Sequence, residues 1–145
     1  MTVTKPIGEG FGKGELYDVL KWFNNMPVDA TITVGATHTN TIAAAIQLKD
    51  YLGNDVAVSC SVIAYLSSDS AGLDAATVAP TTDLASGTDG ECEILLASHV
   101  YLLTSEVDGD IDVSLGYTTG AHDFFLVLVL PTGKKIVSTK FEFSA

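Results

Sequence analysis

Arginine is absent from this 145-residue chain, and seven lysines face eighteen aspartates and glutamates. Nucleic-acid binding rests on neutralising phosphates with Lys and Arg, so a formal charge of −11 excludes that partner class and an anionic membrane surface. Long hydrophobic runs are missing too. The longest, Phe124 to Leu130, is strand-sized, whereas a membrane helix needs about 20 apolar residues. There are two cysteines, Cys60 and Cys92, and no apolar segment follows Met1-Thr2-Val3-Thr4-Lys5 as an export signal would require. Both thiols are therefore expected reduced, in a cytosol. No Asn-x-Ser/Thr acceptor is present. Charged residues are scarce at 17%, against 47% apolar and a mean hydropathy of +0.33, which excludes disorder.

What is present suits one domain with a sizeable core. Residues 1–14 alternate Gly8, Gly10, Gly12 and Gly14 with other residues and form an expected flexible arm. Glu15 to Asn24 places Leu16, Val19, Leu20 and Phe23 on one face of a short helix, which Asn24, Asn25 and Pro27 end. So short a helix is unstable alone and must dock. Tyr17 and Trp22 fall off that face. From Ala30 the period becomes 2, dividing the chain into an arm-and-helix segment (1–29) and a β-domain (30–145). Strands are expected at Thr31–Val34, Thr41–Lys49, Val56–Leu66, near Leu84–Ala85, Glu91–Leu96, His99–Thr104, Ile111–Leu115, Phe124–Leu130 and Ile136–Phe143. The second and third are expected to pair as a hairpin around Gly53-Asn54-Asp55. Phe124–Leu130, apolar on both faces, suits a central strand covered on both sides. The class is mainly β, an antiparallel immunoglobulin-like β-sandwich of about eight strands.

Chemical motifs are few. Gly12-Lys13 is followed by Gly14 instead of Ser/Thr, and Ile7 stands where a phosphate loop has its first glycine. Asp108, Asp110 and Asp112 have a calcium-like spacing, but Val113 replaces the turn glycine and Thr119 the bidentate glutamate. A turn at Asp108-Gly109 followed by a strand, with Ile111, Val113 and Leu115 inward, explains the same residues. His38, His99 and His122 lack zinc spacing. Cys60 and Cys92 alternate with polar neighbours as small core residues. No nucleophile elbow occurs, and no carboxylate pair is singled out for glycoside hydrolysis. No catalytic residue, metal or cofactor is expected. The candidate partner-binding residues are the aromatics Phe11, Tyr17, Trp22 and Phe23, since large aromatics dominate interface hot spots.

Six stretches, in order, resemble a module of tailed-bacteriophage virion structural proteins. They are Ala30–Ala36, Ile46–Asp50, Tyr65–Asp69, Gly87–Gly90, Ser105–Val113 (SEVDGDIDV) and Phe125–Lys134 (FLVLVLPTGK). The resemblance implies a non-enzymatic virion component with an immunoglobulin-like sandwich, of the capsid decoration (cement) type. It implies the major capsid protein as partner, a homo-oligomer such as a trimer, and a place on the outer surface of the particle after synthesis in the host bacterial cytoplasm. A tail, neck or fibre component that binds another virion protein, or a host glycan through loops such as 67–90, is the alternative.

Overall fold

The computed structural model describes residues 25–145, and every regular element among them is a β-strand. These are β1 (Asp29–Val34), β2 (Thr41–Lys49), β3 (Ser61–Ser67), β4 (Thr82–Ser86), β5 (Glu91–Leu96), β6 (Val100–Thr104), β7 (Asp110–Gly116), β8 (His122–Val129), β9 (Lys135–Val137) and β10 (Phe141–Phe143). They form two antiparallel sheets packed as a sandwich. One runs β1-β2-β7-β4; the other runs β10-β8-β3-β6-β5, with β9 also paired to β8.

Alternation sets which side chains meet between the sheets. Ile42, Ala44, Ile46 and Leu48 of β2 point inward, as do Ile111, Val113 and Leu115 of β7, in a register that opposes Ile46 to Ile111 and Ala44 to Val113. They face Val62, Ala64 and Leu66 of β3, Tyr101 and Leu103 of β6, and Phe124, Leu126 and Leu128 of β8, all buried in one core. Val127 faces the other way and is still fully buried. A Cβ placed on Gly72 would lie 2.9 Å from the Val127 side chain and 3.0 Å from that of Val137 on the paired strand β9, so the loop after β3 covers β8 outside.

Four expectations need correction. The stretch 56–66 is a strand only from Ser61. Before it, Val56 N–H donates to Leu48 O at 3.1 Å, and Ser59 and Cys60 bond to Ser105 instead of to a ladder. The chain is there crossing from one sheet to the other, bending at Ala57-Val58, and its burial still alternates without a strand. Consequently β2 and β3 lie in different sheets and form no hairpin; β2 pairs β1 and β7. The last expected strand is two, because Ser138 interrupts it: its hydroxyl accepts Leu126 N–H at 2.9 Å and donates to Thr139 O at 2.6 Å. With β4 extended to five residues, the strands number ten instead of about eight. The expected helix 15–24 lies outside the described residues.

Candidate functional site

All four candidate partner-binding aromatics, Phe11, Tyr17, Trp22 and Phe23, lie outside the described residues. The other candidates have definite places. Asp108 caps a turn in which Glu106 N–H donates to Asp110 O at 2.9 Å and Gly109 N–H to Glu106 O at 3.1 Å. Gly109 holds φ +81°, the left-handed region that favours glycine. Asp110 and Asp112 then point outward from β7, and Asp112 accepts the hydroxyl of Thr88. Burial, with Asp112, Asp89 and Asp108 adding like charge, pushes the Asp110 carboxyl up from its ordinary value. Among the described residues no three His, Cys, Asp or Glu side chains converge as a metal site.

Three histidines reach the same end of the sandwich but not one another's rings. His122 packs edge-on against Phe124, with centroids 4.4 Å apart, and against Tyr117 at 5.3 Å. His99 sits in the β5–β6 turn, its ring bonded to Ala97 O at 2.8 Å. His38 pairs through its backbone with Phe143.

A cluster that sequence reasoning missed surrounds Asp83. Its carboxylate accepts the Leu84 N–H at 3.1 Å, the Ser98 N–H at 2.8 Å and the hydroxyl of fully buried Tyr101. Burial, then Asp83, pushes the Tyr101 hydroxyl well up, and the same two causes push the neighbouring Cys92 thiol up to about 11. Burial also raises Cys60. Hydroxyl and thiols therefore stay protonated at neutral pH, the opposite of an activated nucleophile. The cluster ties β4 to the β5–β6 hairpin. No motif announced it, since Ser98 and Tyr101 follow Asp83 by fifteen and eighteen residues.

Two outer faces remain, and they differ. The four-stranded sheet presents small residues, among them Thr33, Ala43, Ala45, Asp112 and Ser114, which with the Gly87-Thr88 turn line a shallow groove of ≈ 400 Å³. The six-stranded sheet presents apolar rows. Register places Leu96, Val100 and Tyr65 in one outward row and Glu93, Leu102, Ile63 and Val129 in the next. Leu96 is 58% exposed and Ile63 38%, with Leu95 at 51% beside them. Serine and threonine close the patch at the row Ser61–Thr104, whose hydroxyls bond at 2.8 Å.

Charge divides along the chain. Residues 25–145 hold fifteen acids and four lysines, hence the whole of the −11, while residues 1–24 are neutral with three of each sign. Lys49, Lys134 and Lys140 already pair with Asp55, Asp29 and Asp123/Glu142. Loop 67–81 is internally tied: the Asp69 carboxylate accepts N–H groups of Ala71, Leu73 and Asp74, and Tyr65 hydroxyl donates to Gly72 O. Among the described residues no helix is long and apolar enough to cross a membrane.

No family model, no curated protein and no solved structure matches this chain.

Proposed function

We propose that this chain is a non-enzymatic structural protein of a tailed-bacteriophage virion, a capsid decoration protein that binds the outer surface of the head through residues 1–29. The observation that carries the reading is the strand order. Sheet β1-β2-β7-β4 facing β10-β8-β3 follows the four-plus-three arrangement of an immunoglobulin-like sandwich, with hairpin β5–β6 inserted after β4 and paired beside β3. The stretches that resemble the virion module fall in order on this frame. Ala30–Ala36 holds most of β1, Ile46–Asp50 ends β2, Tyr65–Asp69 ends β3, Gly87–Gly90 is the β4–β5 turn, Ser105–Val113 is the β6–β7 turn with half of β7, and Phe125–Lys134 is the latter part of β8 with its turn.

Physical features support a coat role. The acidic sandwich repels other polyanions, and its neutral N-terminal segment brings four aromatics that suit a protein partner. Symmetric display on a particle lets modest single contacts sum to firm attachment. Deleting residues 1–27 is expected to leave a folded sandwich, by its circular dichroism and melting curve, that no longer binds particles. Full occupancy of particles by the truncated chain would contradict attachment through the N-terminus.

A further inference from the structure

We propose that two copies of this chain pack face to face through the outer side of the six-stranded sheet, about a two-fold axis that runs along its strands. This rests on strand register and charge, not on the virion reading. In a two-layer sandwich the outer faces are ordinarily polar, alternating with the inward core. Here Ile63, Leu96, Val100 and Leu102 point outward together, and nothing among the described residues covers them. One outward row crosses the whole face, from β5 through β6, β3 and β8 to β9: Glu93, Leu102, Ile63, Val129 and Lys135. It is acidic at one end, basic at the other and apolar between, over four strand spacings or about 19 Å. Lys135 Nζ stands over the ring of Tyr65 in the adjoining row, 6.0 Å from its centroid. Among the described residues Lys135 is the one lysine in no ion pair, and Glu93 has no cationic partner either.

Such a row is complementary to itself when reversed, which is what selects a second copy as the occupant. A two-fold axis between the copies, parallel to the strands and passing at Ile63, sets Glu93 against Lys135 of the second copy and Lys135 against its Glu93. Leu102 then meets Val129, and Ile63 meets its own counterpart. The same axis keeps the strands of the two faces nearly aligned, the usual geometry of one sheet packed on another. An axis along the row instead would stack Glu93 on Glu93 and Lys135 on Lys135, so charge chooses between the two. The adjoining row follows suit. Its β5–β6 end carries Leu96 and Val100, and its β8–β9 end is covered by the Gly72 loop, on which Leu73 is 77% exposed. Reversal sets that loop against Leu96 and Val100 of the second copy, so each apolar end is covered by the other copy's loop.

Sedimentation of the full-length chain over a dilution series tests this with Glu93→Lys, Lys135→Glu and the double variant, at about 0.15 M salt so that only close charges act. Both positions are exposed, and circular dichroism with a cooperative melting curve identifies a folded variant. Expected is a reversible dimer of the 15.2 kDa chain. Each single variant is expected to weaken it about tenfold or more by setting like charges face to face, and the double variant to recover it. A net-charge effect has a different signature: on a chain of −11, Glu93→Lys would strengthen association and Lys135→Glu would weaken it. That signature would overturn the proposal. So would a monomer at every dilution, a trimer as the assembled species, or a double variant that associates no better than the single ones.

Discussion

Asp83 shows how much one side chain can decide. It is the acceptor for Tyr101, Ser98 and Leu84, and Ser98 takes φ +64°, a conformation that needs external support. Hydrogen bonds to a charged acceptor contribute about 1.5–3 kcal/mol each, and removing the acceptor orphans the buried Tyr101 hydroxyl. Asp83→Ala is therefore expected to cost about 2–4 kcal/mol in urea unfolding, and a loss below about 0.5 kcal/mol, the range of an ordinary surface change, would refute the role. Two glycines give a sharper contrast. Gly53 and Gly90 both have positive φ, +83° and +74°. At Gly53 a Cβ meets nothing, whereas at Gly90 it would sit 2.6 Å from Thr104 O. Gly53→Ala should cost only the left-handed penalty, about 1–2 kcal/mol. Gly90→Ala should cost more, because a backbone oxygen must also move. Equal losses would show that the turn before β5 adapts freely.

Strand β7 and loop 67–81 set opposite pH responses. The Asp110 carboxyl is held above its ordinary pKa, by burial first and then by Asp112, Asp89 and Asp108. A raised folded pKa means that ionised Asp110 opposes folding at neutral pH, and that this penalty fades as pH falls through the raised value toward the ordinary one. Asp110→Asn should thus raise Tm at pH 7, and the advantage should close by about pH 4, where the reference carboxyl itself protonates. A lower Tm at pH 7 would contradict the repulsion. Asp69 has the reverse sign. Backbone N–H groups of Asp74, Ala71 and Leu73 hold its carboxyl low, so its stabilisation is present above the ordinary pKa and lost as pH falls through the folded one. Legibility also varies by element. Alternation in β2 and β7 marked their extent closely, because one side of each must be buried and the other not. It said nothing of partners. Val56 to Cys60 keep the same period while crossing between sheets, and Ser138 breaks an apolar run through hydrogen bonds that no pattern records. The outer patch was half visible in the consecutive apolar residues Ile94-Leu95-Leu96 and Tyr101-Leu102-Leu103, but only register shows which of them share a face.

At the scale of the whole molecule, an acidic sandwich follows a neutral, aromatic-rich N-terminal sequence, and the described chain begins where Asn25 O accepts the Cys60 thiol just before β3. The division of labour proposed here, a folded body displayed outward and an attachment segment turned toward the particle, is a claim about copy number. A decoration protein covers a lattice, while a tail, neck or fibre part occupies a single axis. The most direct measurement is the molar ratio of this chain to major capsid protein in purified particles. The account expects a ratio near one, or one trimer per capsomer-scale site. A handful of copies per particle would move the protein to the tail or neck, and its absence from the particle would contradict the virion assignment altogether.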